Sequence, residues 1–201
     1  MRVGEVQRKT LETKITAKID LDGEGTAEVR TGVGFLDHMI AQLARHGSFD
    51  ITLDAIGDLE IDAHHTVEDT GIVLGQAIDR ALGERIGIRR MGDATVPMDE
   101  ALAQVAIDLS GRGYSVFDGS FATNTIGDLD TELIPHFFEA LASHARANIF
   151  IRILAGRSDH HRAEATFKAL ARSLNTAVSL DPQRTGQVPS TKGTLSKNTE
   201  D

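Results

Sequence analysis

A His-His-x-x-Glu motif occurs twice in this chain. Asp62-Ala63-His64-His65-Thr66-Val67-Glu68 is echoed by Ser158-Asp159-His160-His161-Arg162-Ala163-Glu164. Upstream of each stands a spaced histidine pair, His38 with His46 and His136 with His144. The copies lie 98 residues apart for the histidine pairs and 96 apart for the His-His-x-x-Glu motifs. Histidines scattered through a core would not keep that register. A chain patterned this way is constrained to fold as two copies of one unit, and the side chains it doubles are imidazole and carboxylate, the donors of a metal site.

No cysteine is present, which removes disulfides and thiolate metal sites, so any metal must be held by imidazole and carboxylate. The chain of 201 residues is long enough to bury a real interior, as one domain or as two small units sharing a core. A hydrophobic share of 40% beside 25% charged residues is that of an ordinary soluble protein. The net charge of −9 disfavours nucleic acid and anionic membranes as partners, whereas a small anion needs only a few local cations. The start, Met1 to Glu5, lacks the apolar stretch of a signal peptide, and no apolar run reaches the length of a membrane span. A cytoplasmic protein with a largely aliphatic core is expected.

The halves match beyond their histidines. Lys18-Ile19-Asp20-Leu21-Asp22-Gly23-Glu24-Gly25 resembles Ala106-Ile107-Asp108-Leu109-Ser110-Gly111-Arg112-Gly113, each a β-like run ending in a glycine turn. A second β-like run follows in each, at Thr26–Arg30 and Tyr114–Phe117, then a helical stretch at Phe35–Ala44 and Ile134–Ala142. Strands are predicted over Asp50–Ile56 and Asn148–Leu154, after which each His-His motif opens a second helix. The apolar spacings over Asp69–Leu82 and Glu164–Val178 give those helices one buried face. The fold class is therefore α+β by internal duplication, without the alternation of a Rossmann sheet. Residues 1–90 form the first half-domain, 91–185 the second, and 186–201 a flexible tail rich in Pro, Gly, Ser, Thr and Lys.

Helix geometry limits how the motif can bind. Glu68 can share a face with His64 or His65, but adjacent residues diverge by about 100°. One histidine plus the Glu then serves one ion, and the other histidine is aimed at a second. Across the duplication this yields eight ligands: His38, His64, His65, Glu68, His136, His160, His161 and Glu164. Two octahedral ions with four protein ligands each would keep two open positions apiece, and mixed His/Glu donors favour Mn or Fe over Zn. His46 and His144 fall about 80° off the helical face of His38 and His136, where they line a pocket or favour a helix end. Basic residues beside turns (Arg89-Arg90, Arg112, Lys192) and Lys168, one turn after Glu164, suit a phosphate.

These stretches resemble the imidazoleglycerol-phosphate dehydratase family. The resemblance is carried by Arg8–Thr13, Gly34–Met39, Asp62–Asp69, Pro97–Ala101, Asp159–Ala165 and Pro189–Gly193, in the family's order over nearly the whole chain, with no departure at a motif position. It is to the monofunctional form. It implies Mn(II), two ions per active site, on the eight ligands above, and a phosphate site of Arg90, Arg112, Lys168, Ser190 and Lys192. Gln42 and His46 would lie along the substrate, and Glu12 would be the acid/base residue. It further implies two four-stranded sheets, each half adding two helices that are sandwiched between the sheets. It implies a homo-oligomer as well, a 24-mer built from trimers with metal sites at subunit contacts.

The implied reaction converts imidazoleglycerol phosphate to imidazole acetol phosphate and water in histidine biosynthesis. The C–H to be broken is not acidic by itself. A metal on each ring nitrogen would stabilise an imidazolate-like intermediate, letting electrons flow out through the departing hydroxyl. On this reading Glu12 takes the proton, one Mn polarises a substrate hydroxyl, and the tail with Ser190 and Lys192 closes over the phosphate. Two rivals are a dinuclear metallohydrolase, which would be expected to use bridging Asp ligands, and an assembly protein whose ions only staple subunits. Phosphate release separates the first, and sedimentation with and without chelator examines the second.

Overall fold

The computed structural model describes residues 1–195; the end of the expected tail, 196–201, lies outside the described residues. The first half runs β1 (Val3–Lys9), β2 (Thr13–Asp20), β3 (Ala27–Arg30), α1 (Gly34–Gly47), β4 (Asp50–Gly57) and α2 (His64–Leu82). The second runs β5 (Met91–Met98), β6 (Ala101–Asp108), β7 (Tyr114–Asp118), β8 (Thr125–Ile126), β9 (Leu129–Asp130), α3 (Leu133–Ala145), β10 (Asn148–Ala155) and α4 (Asp159–Val178). Two four-stranded sheets result, ordered β1-β2-β4-β3 and β5-β6-β10-β7, with the last strand of each parallel to its neighbour and the other pairings antiparallel. Both the α+β class and the duplication are therefore present in the fold.

Alternation explains the layers. In β2, Thr13, Ile15, Ala17 and Ile19 point inward and are buried, and Ala101, Ala103, Val105 and Ile107 do the same in β6. Helix α2 packs on β1 and β2, α4 on β5 and β6, and the helices meet as α2 with α3 and α1 with α4. Helices thus fill the space between the sheets, and one aliphatic core with a cluster of Phe137, Phe138 and Phe167 spans both halves.

The duplication extends to a close approach. A Cβ on Gly4 would lie 1.9 Å from the Ala77 carbonyl oxygen, and one on Gly92 would lie 2.2 Å from that of Ser173. Glycine at both places lets an edge strand press against a helix backbone. It also weakens the apolar alternation of β1 and β5. The first β-like runs read from the sequence, at Lys18 and Ala106, are accordingly only the ends of longer hairpins.

One element has no counterpart in the first half. The hairpin β8–β9 interrupts the passage from β7 to α3. Its Asp128 accepts the backbone N–H groups of Gly34 and Phe35 at 2.5 and 2.9 Å, capping α1, whose own Val33 offers no capping side chain. Asp159 anchors the start of this insertion by accepting the Ala122 and Thr123 amides at 2.8 and 2.7 Å. Burial raises both carboxyls toward protonation, but the amides and the Thr123 hydroxyl outweigh it, so both lie below the ordinary carboxylate range. Because the folded values are depressed, this stabilisation is complete above about pH 4 and is lost as pH falls through them. The thermal midpoint should fall with acidification, and more shallowly in Asp128→Asn; equal slopes would remove Asp128 from the account.

Candidate active site

The helix pairing decides which histidines meet. Phe35, Leu36, Met39, Ile40 and Leu43 bury one face of α1, leaving His38 on the side that runs along α4. At the start of α4, Ser158 caps the helix by accepting from the His161 amide at 3.4 Å. The His38 and His160 Nε2 atoms then lie 3.3 and 3.2 Å from the same Oε2 of Glu164. One donor atom from each of the three residues falls within 4.8 Å of the others. Ligand bonds of about 2.1 Å put donors around one ion roughly 3 to 4 Å apart, so this set fits a cation with modest contraction. Phe35 backs it, its ring centroid 5.1 Å from that of His160.

Glu164 is buried and also pairs with Lys168, whose Nζ is 2.7 Å from Oε1. Burial pushes its carboxyl up, but Lys168 and His38 together hold it below the ordinary range. The anionic partner expected for Lys168 is thus, within this chain, a candidate metal ligand.

The equivalent pair across the pseudo-symmetry is His64 from α2 and His136 from α3, with ring centroids 5.4 Å apart. Glu68 is exposed, and the His38–His160–Glu164 group alone gathers three such donors among the described residues. In both clusters one half supplies the lone histidine and the other half the His-His-x-x-Glu residue. The remaining histidines turn away as helix geometry requires: His65 meets Asp58 while His64 meets His136, and His161 meets Glu100 while His160 meets Glu164.

His65 and His161 share a second arrangement. Nδ1 of His65 is 3.0 Å from Asp58 Oδ2, while its Nε2 stands 3.8 Å from Glu12 Oε1. Nδ1 of His161 is 2.7 Å from Glu100 Oε2, and its Nε2 stands 3.8 Å from Asp99 Oδ2. The hydrogen bonds to Asp58 and Glu100 raise the two imidazoles above their usual value. The bond from His161, helped by the Ser158 and Arg157 amides, holds Glu100 far below the carboxylate range.

The expected phosphate ligands fall in separate places within one chain. Arg90, at a left-handed φ of 74°, grips Asp108 through Nε and Nη2 at 2.6 and 2.9 Å and donates from Nη1 to the Pro189 carbonyl at 2.9 Å. It lines a cavity of about 350 Å³ with Arg184 and Ser190. Lys192 is exposed just beyond, its amide 3.2 Å from Ser190 Oγ, and Arg112 is exposed in the β6–β7 turn. His46 bonds Gln42 at 3.0 Å and lines a cavity of about 440 Å³ with Arg172 and Asn175. Burial, then the charge of Lys168, lowers the His46 imidazole. His144 instead donates to the Ala140 carbonyl at 2.9 Å, a helix-internal bond.

Residues the sequence reading did not single out are Asp58, Asp128 and the anchoring side chain of Asp159. A signal for the insertion existed: Gly23 and Gly111 are 88 residues apart, His38 and His136 are 98 apart, and the intervening hairpin accounts for the jump. Nothing local marks Asp58.

Fold and site together define a duplicated α+β protein whose two histidine pairs, one of them joined by a buried carboxylate, form where the two halves meet. A family model described as imidazoleglycerol-phosphate dehydratase matches residues 31–174. The chain is 55% identical over 195 residues to the imidazoleglycerol-phosphate dehydratase of Cereibacter sphaeroides strain KD131, covering 97% of this chain and all of that one. It is 55% identical over 194 residues to that of Dehalococcoides mccartyi strain CBDB1, covering 96% and 97%. The crystal structure of the Pyrococcus furiosus enzyme, in complex with (S)-C348, superposes with a TM-score of 0.82 at 35% identity, covering 94% of this chain and all of that one. The chain belongs to the imidazoleglycerol-phosphate dehydratase family. It is thus an enzyme of the hydro-lyase class, acting in histidine biosynthesis. Among the described residues no helix is long and apolar enough to cross a membrane.

Proposed function

We propose that this enzyme, working in the cytoplasm, dehydrates imidazoleglycerol phosphate to imidazole acetol phosphate using two Mn(II) ions per active site. The observation that carries the metal reading is the convergence of His38, His160 and the buried Glu164 within 4.8 Å across the junction of the two halves. Two imidazoles and a carboxylate, with no thiolate, suit Mn(II) or Fe(II) and leave positions for a substrate atom. His64 and His136, with Glu68 one turn along α2, would hold the second ion. When bound, such ions would favour a deprotonated imidazole ring, whose electrons help expel the hydroxyl on the carbon beside it.

His65 and His161 present Nε2 toward Glu12 and Asp99, away from the ligands of their motif partners His64 and His160. That divergence supports ligation by neighbouring copies, and so a homo-oligomer, a 24-mer of trimers with metal sites at subunit contacts. The same assembly would bring Arg90 and Ser190 of one copy together with Arg112, Lys168 and Lys192 of others around the phosphate, and place Gln42 and His46 along the substrate. Glu12 is the proton acceptor in this reading: it is half-exposed and lies beside the outward nitrogen of His65. Glu12 takes the proton from the central carbon and returns one to the departing hydroxyl, which leaves as water from the carbon beside the ring; the enol so formed moves its O–H proton to that carbon and becomes the ketone.

The test couples elemental analysis of the purified protein to the dehydration assay before and after chelation. Activity lost with the metal and restored by Mn(II) is the expected result, and full activity in metal-free protein would overturn the reading. Glu12→Gln should keep metal and substrate binding but lose turnover by on the order of 10²- to 10⁴-fold. Retained turnover in that variant would remove Glu12 from the reaction.

A further inference from the structure

The structure assigns Glu100 and Asp58 as positioning residues: each holds Nδ1 of the second histidine of its motif, so that Nε2 of His161 and of His65 is the nitrogen presented to a metal. The inference rests on the metal reading above and extends it to how the repeat divided its labour.

Across both hairpins the repeat keeps one offset. Val3 pairs with Asp20 as Met91 pairs with Asp108, 88 residues on, so Glu12 and Glu100 occupy the same position of the repeat. Their surroundings differ. Glu12 approaches His65 from the Nε2 side at 3.8 Å. Glu100 has turned to the other nitrogen of His161, at 2.7 Å, while its Oε1 accepts the Arg157 and Ser158 amides at 3.0 and 2.8 Å. Strands β4 and β10 begin with an offset of 98 residues, but a bulge between Ile153 and Ala155 makes it 99, so Gly156 matches Gly57 and the repeat partner of Asp58 is Arg157. In the first half Asp58 holds the ring, and Glu12 is left free. In the second half an arginine stands there, so that position offers His161 no carboxylate, and its amide donates to Glu100 at 3.0 Å. Glu100 fills the role instead. Of the twin hairpin glutamates, therefore, only Glu12 remains free to move a proton.

An imidazole that donates Nδ1–H to a carboxylate carries its lone pair on Nε2, in a fixed ring orientation. The Glu100→Gln variant probes this directly. An oxygen must stay on the Arg157 and Ser158 amides, so the new NH₂ faces His161 Nδ1 and favours the proton on Nε2, where a metal would bind. Mn(II) affinity, measured by chelator competition on the assembled enzyme, should fall about 10- to 100-fold, with kcat recovering to within a few-fold at saturating Mn(II). Asp58→Ala, which removes the acceptor on His65 Nδ1, should show the same pattern, and Glu12→Gln the reverse, with affinity kept and kcat lost.

A Glu100 that merely anchors the 157–158 turn would leave Glu100→Gln with wild-type affinity, since an amide oxygen can accept both N–H bonds. A proton-handling Glu100 would lower kcat at unchanged affinity. Either result overturns the assignment while leaving the metal reading intact. Wild-type protein that binds no Mn(II) would instead remove the metal reading, and this assignment with it.

Discussion

Glu164→Gln is expected to empty one of the two metal positions and to lower turnover by on the order of 10³-fold. Glu164 is the one buried carboxylate of the three-donor cluster, and a single oxygen of it stands 3.2 to 3.3 Å from both His160 and His38. Gln keeps the shape but loses the charge that opposes Lys168, 2.7 Å away, so the ammonium would then face a would-be cation site without neutralisation. Elemental analysis should find about half the metal per chain, with circular dichroism unchanged. Full metal content with wild-type turnover would show that this cluster is not a ligand set.

Asp79→Ala is expected to be the most destabilising single change outside the site, by about 3 to 5 kcal/mol, lowering Tm by roughly 10 °C. Arg85 is only 2% exposed and sits at a φ of 58° between the halves. Its guanidinium donates to Asp79 at 2.6 Å and to the Ala145 carbonyl at 2.9 Å, and Asp79 also receives Arg146 from the end of α3 at 3.0 Å. Burial lowers the Arg85 pKa, and the nearby Asp79 works against that. Without the carboxylate a buried charge loses its counter-ion just where α2 meets the second half. Adding Arg85→Met should recover much of the loss, because no buried charge is then left. Thermal melts of the single and double variants check this, and an Asp79→Ala protein as stable as wild type would refute it.

The doubled motif was legible because helical periodicity acts locally. Adjacent histidines on a helix must diverge by about 100°, and their partners show that they do: His64 faces His136 while His65 faces Asp58, and His160 faces Glu164 while His161 faces Glu100. The same local rules placed the helices α1 to α4 and the strands β4 and β10. What they missed were features whose cause lies elsewhere in the chain. The strands β1 and β5 read poorly because Gly4 and Gly92 face inward where a hydrophobic residue would have marked the alternation, and only the opposing helix backbone explains them. Asp128 looks like any turn aspartate until α1, more than ninety residues earlier, is found to need a cap. Asp99 and Glu100 stood in a motif with no way to separate their roles; the 2.7 Å contact to Nδ1 of His161 does so for Glu100.

The linear order of residues was enough to establish that a unit had been repeated, that its donors were imidazoles and carboxylates, and that its fold mixed sheet and helix. Those properties follow from spacing and composition, which act over a few turns of chain. Only the packing of α1 on α4 and of α2 on α3 decided that each donor cluster draws on both halves. Which nitrogen of His65 and of His161 meets a carboxylate was decided by the tertiary structure too, since Asp58 and Glu100 reach them from other elements.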